Sequence, residues 1–443
     1  MFAIALIIRL LIAPFLTYPS DIVHWAVTVQ NFESGNGLYG INGYYYTPVW
    51  GYILGATSAV QSMFLNLDFY GMRFTDMLPV EQLKNMYQYA DITDIEFNFL
   101  FKLPLIVFDI TIGYIVYRVI KKDANTENKA CVAAALWLFC PLVIYMSAVQ
   151  CQFDCISAML FLLSLLLLRY DRCFLSGTLF ALSVMLKLFP AICFPLFIMY
   201  IFSKHRGDGI AFKKILYAVG GGLITVFVVF LPPLLCGTIY DSFSFVLSRA
   251  MTADVLDVTM DILAIIFALA VMLFFVDRMK RTPKENADRV LLPFALATTA
   301  AGVIIGGGPQ YCIAFIPLLA YYVAVHDRFY LACWVLIAIG GVGNALTMNN
   351  FSLLSAAYEY GGLGNGTTLT ALMGVMDTCV LNWPLISWLS ATFNLVEQIG
   401  AASVSVFLIQ DAMGRNKFDW KSIIRDITDF ANHKTEETSS DET

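Results

Sequence analysis

The chain has 443 residues, of which 59% are hydrophobic and 14% are charged, and its mean hydropathy is +0.72. This composition is far from that of a soluble domain and is typical of a membrane protein with many spans. The net charge of −6 and the lack of a basic cluster argue against nucleic acid as a partner.

Apolar runs recur along most of the chain, with the roughly 17–25 residues that a helix needs to cross a bilayer. Backbone polar groups in lipid must be paired within their own segment, so these runs are predicted to be helices. We therefore expect an all-α polytopic membrane protein with about 12–13 transmembrane helices. Residues 1–410 form one integral-membrane domain in this interpretation, and residues 411–443 form a cytoplasmic tail.

The first predicted span covers residues 2–18, and its lack of a basic start and a cleavage site distinguishes it from a signal peptide. Arg9 lies midway along it, which indicates either that its side chain extends to the interface or that the chain begins further upstream. A long outer loop, 19–96, follows and contains an interfacial or re-entrant helix at 48–65. The next crossing is predicted at 97–117.

Lys and Arg concentrate in cytoplasmic loops, and this bias orients the chain. The basic loops are 118–129, 169–172, 203–214, 277–289 and 326–328. The loops poor in basic residues are 19–72, 147–154, 186–190, 236–257, 306–310 and 349–366. The spans between them are predicted at 130–147, 154–168, 173–187, 189–203, 214–236, 258–277, 290–306, 310–325 and 330–348, with one or two more between 367 and 410. The tail is predicted to carry an amphipathic helix on the inner leaflet and then a disordered end.

The inner loops are all short, so they leave no room for a cytoplasmic nucleotide-binding domain. The predicted outer loops at 19–96 and 236–257 are longer. Any substrate is therefore expected to reach the protein within or across the membrane.

Polar side chains from separate connections gather on the predicted outer side. They are Asp21, His24, Gln152, Asp154, Lys187, Gln310 and Tyr311. Ionisable residues at the ends of apolar segments are functional candidates by default. Each also has a structural interpretation: the carboxylates as helix caps, Lys187 as an interfacial residue, Tyr311 as part of an aromatic belt and His24 as a positioning residue.

A carboxylate near a cation, beside an apolar groove, suits the transfer of a sugar from a lipid phosphate. The carboxylate takes the proton of an acceptor hydroxyl, and the cation neutralises the departing phosphate. One base without a partner nucleophile implies direct displacement with inversion at the sugar carbon.

Several stretches of the sequence resemble the GT-C-fold glycosyltransferases, polytopic enzymes that use polyprenyl- or dolichyl-phosphate sugars. The stretches lie in the family's order: "SDIVHWAV…YYYTPVWGYILG" (20–55), "FKLPLIVFD" (101–109), "VQCQFD" (149–154), "LKLFPAICFP" (186–195) and "GPQYCIAFIPLL" (308–319). The "YYYTP" stretch is similar to that of the GPI mannosyltransferase branch.

The resemblance implies that Asp21 is the catalytic base, that Asp154 supports substrate binding and that Lys187 lies near the donor phosphate. It also implies that Gln310 and Tyr311 line the pocket. Cys151 replaces a glycine that is common before "QFD", and Gly308 replaces a frequent histidine before "PQY". No second carboxylate forms a DxD with Asp21 or Asp154, so neither a metal nor a cofactor is expected.

The function predicted from these features is an inverting transfer of a hexose, mannose in the first instance, on the outer or luminal face. The acceptor is a glycolipid, a lipid-linked glycan or a protein. The membrane is the plasma membrane in a prokaryote and the endoplasmic reticulum in a eukaryote. Two alternatives remain: a transporter or flippase for a lipid-linked glycan, which normally has polar groups along both halves of a pathway, and an O-antigen-type polymerase or ligase.

Overall fold

The computed structural model describes residues 1–33, 35, 37–39, 44, 46–63, 95–243, 255–306, 308–326, 329–349 and 383–414. Within these ranges the chain forms fifteen α-helices and no β-strand, which confirms the predicted all-α polytopic class. The helices are α1 (Phe2–Ile12), α2 (Pro19–Glu33), α3 (Pro48–Ser62), α4 (Ile95–Ala124), α5 (Glu127–Leu138), α6 (Pro141–Ala148), α7 (Asp154–Arg169), α8 (Cys173–Leu186), α9 (Phe194–Lys204), α10 (Ala211–Leu235), α11 (Val255–Arg281), α12 (Ala287–Val303), α13 (Ile316–Val325), α14 (Tyr330–Asn349) and α15 (Trp383–Ala412). Short 3-10 segments occur at Phe189–Cys193, Lys284–Asn286, Ile304–Gly306 and Pro309–Ala314.

Six of the described helices are long and apolar enough to cross a membrane, namely Asn98–Ala124, Ala211–Leu235, Asp261–Arg281, Lys284–Gly306, Tyr330–Thr347 and Trp388–Ala412. A seventh span arises if α5 and α6, which meet at an angle of 51°, are taken together. Fewer described helices than the predicted twelve or thirteen therefore reach a full span by length and composition.

Several predicted spans are covered by shorter helices, and the reason is that the chain breaks in the protein interior. Proline begins or follows these breaks, as at Pro141, Pro190 and Pro309. Proline lacks a backbone donor and cannot continue a helix without distortion. Irregular backbone is tolerated at membrane depth where protein surrounds it. Hydropathy alone does not distinguish such an interrupted segment from a continuous span.

The N-terminal region also differs from its prediction. The first span was predicted over residues 2–18, whereas α1 ends at Ile12. The segment predicted as the outer loop 19–96 contains α3 at the position predicted for an interfacial helix, and α2 in addition. Residues 64–94, half of the predicted outer loop 236–257 (residues 244–254), the loop at 349–366 beyond its first residue, and the tail from 415 onward lie outside the described residues.

The basic loops meet at one end of the molecule, which we call the basic end. Arg169 donates to Asp123 at 2.8 Å, and Tyr321 donates to the same carboxylate at 2.9 Å. Lys204 in turn donates to the carbonyl of Arg169 at 2.5 Å. Lys284 pairs with Asp208 at 2.5 Å, which joins the loop 277–289 to the loop 203–214. The structure thus groups the loops as the Lys and Arg pattern predicts.

The opposite end, which we call the sparse end, collects the described parts of the loops that are poor in basic residues. Helix α7 connects the two ends: it begins at Asp154 and ends at Arg169, a length of about 24 Å for its 16 residues. Tyr52 of α3 donates to the carbonyl of Val229 near the end of α10 at 3.2 Å. Cys236, which follows α10, is exposed and lies towards this sparse end.

A buried ion pair attaches α1 to α4. The Nε atom of Arg9 lies 2.6 Å from Oδ2 of Asp109, and neither side chain is exposed. Ser147 donates to the same carboxylate oxygen at 2.7 Å. The guanidinium also donates to the carbonyl of Leu138 at 2.9 Å. The expectation that Arg9 extends to the interface is wrong, because a carboxylate on a neighbouring helix compensates the charge inside the protein.

Lys102 fixes the end of α1. Its buried amine donates to the carbonyls of Ala13 at 2.9 Å and Leu16 at 2.5 Å. A cation at a helix C-terminus interacts favourably with the helix dipole and with unpaired carbonyls. The turn that leads from α1 into α2, and hence to Asp21, is held in this way.

The Arg9–Asp109 pair predicts a strong coupling. Arg9→Met leaves Asp109 buried without its cation and should destabilise the protein by about 3–5 kcal/mol. The double variant Arg9→Met/Asp109→Leu should be closer to the wild-type protein than either single variant. Thermal unfolding in detergent measures the effect. Lys121→Met is the control, because its pair with Glu127 is about half exposed and an exposed ion pair contributes little to stability. Equal midpoints for Arg9→Met and Lys121→Met would contradict the prediction.

The two ends should face opposite sides of a membrane. In a background in which Cys131, which is partly exposed, and Cys379, which lies outside the described residues, are replaced by serine, Cys236 should react with a membrane-impermeant maleimide from one side of sealed vesicles. A cysteine introduced at Gly207, in a Cys236→Ser background, should react from the other side only. Labelling of both positions from the same side would contradict the separation of the two ends.

Candidate active site

The segment between α6 and α7 forms the centre of the site. Cys151 adopts a left-handed backbone conformation with φ of 58°. This region is unfavourable for residues with a Cβ atom, by roughly 1–2 kcal/mol, and favours glycine. The carbonyl of Cys151 accepts a hydrogen bond from the indole of Trp25 at 3.0 Å. The conformation explains why the related motifs commonly have glycine here, and the bond joins the segment to α2.

Two glutamines hold the Asp21 carboxylate. Gln152 donates to Oδ2 of Asp21 at 2.6 Å, and Gln150 donates to the same oxygen at 3.1 Å. Oδ1 accepts no hydrogen bond from a described residue. Asp21 lies in the first turn of α2 and is half-buried. Neutral amides therefore take the place of the counter-ion that the sequence around Asp21 lacks.

Lys187 forms an ion pair with Asp154, with Nζ 3.2 Å from Oδ2, and both side chains are almost fully buried. The ammonium also donates to Oε1 of Gln152 at 3.4 Å. Gln152 thus bridges the two halves of the site, because its amide nitrogen reaches Asp21 and its oxygen reaches Lys187. The four side chains form one connected polar cluster.

The hairpin of α7 and α8 brings Asp154 opposite Lys187. Ser157 on α7 and Ser183 on α8 each donate to the other's backbone carbonyl, at 3.0 and 2.9 Å. This reciprocal contact fixes the register of two antiparallel helices. The start of α7 therefore faces the end of α8, where Lys187 leaves the helix in an extended conformation.

Aromatic rings surround the ammonium group of Lys187. Its Nζ lies 4.4 Å from the ring centroid of Phe153 and 5.8 Å from those of Tyr46 and Tyr311. Tyr311 also packs on Phe189 at 4.1 Å. Ring faces attract a cation and leave it able to meet an anion on its open side. Such an arrangement suits a positive charge that binds a phosphate.

His24 and Gln310 are less closely connected with this cluster. The ring of His24 is buried and packs edgewise against Trp25 at 5.2 Å. Burial lowers the pKa of His24 to about 4, so the ring is neutral near pH 7 and adds no cation to the site. The amide of Gln310 lies over Gly308, next to Tyr311. Roles for both in substrate binding stay predictions.

Electrostatics distinguish Asp21 from an ordinary surface carboxylate. Burial raises the pKa of Asp21 to about 6, against the opposing effects of the bonds from Gln152 and Gln150 and of the charge of Lys187. A carboxylate with this pKa is mainly ionised at neutral pH and is a stronger base than a solvated aspartate.

Other contributions to the site were not anticipated from the sequence. The sequence does not identify Gln150 as a partner of Asp21, nor Phe153 and Tyr46 as the rings around Lys187. Thr47 donates to the carbonyl of Met185, which ties the "YYYTP" stretch to the end of α8. The quoted motifs contain these residues, but Gln150 lies 129 positions from Asp21 and Thr47 lies 138 positions from Met185, so the pairing is not visible in the sequence. In the described part of the chain no three His, Cys, Asp or Glu residues are grouped to hold a metal ion.

Comparison with known proteins supports the resemblance that the sequence motifs indicate. The ALG6, ALG8 glycosyltransferase family matches residues 78–252, about two fifths of the chain. The match includes Gln152, Asp154 and Lys187 but leaves out Asp21 and Tyr311. These findings confirm the predicted resemblance to GT-C membrane glycosyltransferases.

A more particular likeness is to GPI mannosyltransferase 1 of Saccharomyces cerevisiae. It is 28% identical over 106 residues, which are 24% of this chain. The match spans about a quarter of the length of that relative. Over this segment the chain is thus similar to a mannosyltransferase.

Proposed function

We propose that the protein is an inverting glycosyltransferase that moves a hexose from a polyprenyl- or dolichyl-phosphate sugar to an acceptor hydroxyl. The observation that carries this proposal is the connected cluster of Asp21, Gln152, Lys187 and Asp154. It places a carboxylate with an available oxygen in one cluster with a cation. Both are held by other side chains, so little reorganisation is needed when substrates bind.

In the proposed reaction Asp21 takes the proton from the acceptor hydroxyl as its oxygen attacks the anomeric carbon. A new carbon–oxygen bond forms while the bond to the phosphate oxygen breaks, and the electron pair of that bond remains on the phosphate. Lys187 neutralises the charge that develops there. Attack from the face opposite the phosphate inverts the anomeric configuration, and the products are the glycosylated acceptor and the free lipid phosphate.

Mannose is the sugar that we favour, because the yeast relative is named as a mannosyltransferase and the "YYYTP" stretch resembles that branch. The name of that relative also favours a glycolipid acceptor over a protein. We place the reaction at the sparse end, on the outer or luminal face, and the membrane is then the endoplasmic reticulum in a eukaryotic cell. The Lys and Arg distribution supports this orientation.

Transport of a lipid-linked glycan is the alternative class. It needs a polar pathway through both halves of the membrane. Among the described residues, the deeply buried charges Arg9 and Asp109 pair with each other and with Ser147. Both side chains are fully buried, which indicates a structural role for this pair and not a place on a transport pathway. An O-antigen-type polymerase or ligase normally relies on Arg and His in a large late outer loop, and the predicted outer loop 349–366 contains neither residue type.

Asp21→Asn should reduce turnover by a factor of about 10²–10⁴, since it removes the base and keeps the size of the side chain. The assay incubates purified protein with polyprenyl-phosphate mannose and, separately, glucose, and measures the free lipid phosphate released with an acceptor glycolipid. Asp208→Asn at the basic end is the matched control and should remain active. Near-normal turnover in Asp21→Asn would remove Asp21 from the role of base.

The rate should also report the ionisation of Asp21. Its pKa is raised to about 6, so the ionised base is lost as the pH falls through 6, and kcat/KM should decline below that value. Gln152→Leu removes a hydrogen bond that lowers this pKa, and the decline should therefore begin at a higher pH. A profile that stays flat down to pH 4 would contradict the assignment.

Lys187→Met should raise the KM for the donor and lower kcat, together by roughly 100-fold in kcat/KM, because the departing phosphate loses its cation. Lys187→Arg should recover part of the rate, and Lys204→Met at the basic end should have little effect. Initial rates at varied donor and acceptor concentrations separate the two substrates. An effect confined to the acceptor KM would exclude the phosphate role.

A further inference from the structure

A groove of about 410 Å³ lies at the basic end, between the end of α11 and the start of α12. The side chains of Arg278, Arg281 and Arg289 line it. Asp288, next to Arg289, pairs with Lys204 at 3.0 Å, and Lys204 contacts the last residue of α7. The groove therefore lies a full length of α7 away from Asp154.

The charges in the groove are only partly compensated. Arg281 pairs with Asp277 at 2.9 Å. Within the described ranges, no carboxylate forms an ion pair with Arg278 or with Arg289. The guanidinium of Arg278 lies 5.3 Å from the ring of Phe274 and is half-buried. A cluster of three guanidinium groups with one carboxylate attracts an anion.

The remainder of the groove is apolar and includes Val290, Phe294 and Ala412. Both helices that form it are long and apolar enough to span a membrane, Asp261–Arg281 and Lys284–Gly306. The groove is located at the connection between these two helices, where the last turn of the first meets the start of the second. It is therefore charged towards water and apolar towards the helices, which matches a lipid headgroup and the first part of its chains.

We propose that this groove binds the phosphate of an anionic phospholipid in the leaflet at the basic end. Guanidinium groups donate paired hydrogen bonds to phosphate oxygens, and basic residues near a membrane surface favour anionic lipids. The acyl chains lie against Val290 and Phe294. The site is independent of the proposed transfer reaction, because it lies at the end opposite Asp21.

The test measures lipid binding to the full-length protein by native mass spectrometry. Phosphatidylserine should bind, phosphatidylcholine should bind more weakly, and inorganic phosphate alone should not saturate the site. Arg278→Gln/Arg289→Gln should lower the affinity for phosphatidylserine by roughly 30-fold, since it removes two cations at the headgroup. Lys213→Gln/Lys214→Gln removes the same charge elsewhere at the basic end and should leave the affinity unchanged.

Three outcomes would overturn the proposal. The first is an equal loss in both double variants, which indicates a general effect of charge. The second is saturation by inorganic phosphate alone, which indicates a site for a free anion. The third is occupation of the groove by the acidic chain beyond Gly414. With p-benzoylphenylalanine at Val290, photocrosslinks should form with phosphatidylserine. Crosslinks to peptides from 415–443 would instead assign the groove to that segment. Thermal unfolding of each variant checks that the protein is folded.

Discussion

The ion pair of Lys187 with Asp154 is the interaction on which the organisation of the sparse end depends. An unpaired ammonium group in this buried position would be costly, so the end of α8 must meet the start of α7. The same ammonium contacts Gln152 and attracts the rings of Phe153, Tyr46 and Tyr311. One cation thereby determines where four separate connections of the chain come together.

Asp21 is stabilised differently, and the difference has chemical consequences. Its partners are two neutral amides, which orient the carboxylate without the strong depression of the pKa that a direct ion pair would produce. Asp154, by contrast, is committed to Lys187. Two carboxylates in one site thus have separate environments: one suits a base, and the other holds a cation in place.

The basic end is organised by a network of carboxylates, hydroxyls and ammonium groups, and it differs from the sparse end in both composition and partners. Asp123 joins Arg169 and Tyr321, while Lys204 joins Asp288 and the carbonyl of Arg169. Within the described residues the three arginines of the groove lie outside this network, and Arg281 pairs separately with Asp277. Helices that extend from one end to the other keep the two chemistries about 24 Å apart.

The sequence by itself determined the helical class, the order of the apolar segments and the grouping of loops by their Lys and Arg content, because hydropathy and charge are local properties. It also indicated Asp21, Asp154, Lys187 and Tyr311 as candidates. Only the tertiary structure decided that Arg9 pairs with a residue one hundred positions away, that glutamines hold Asp21, and that several apolar runs are interrupted helices. These features depend on which side chains become neighbours in space, and the periodicity of a single chain does not contain that information.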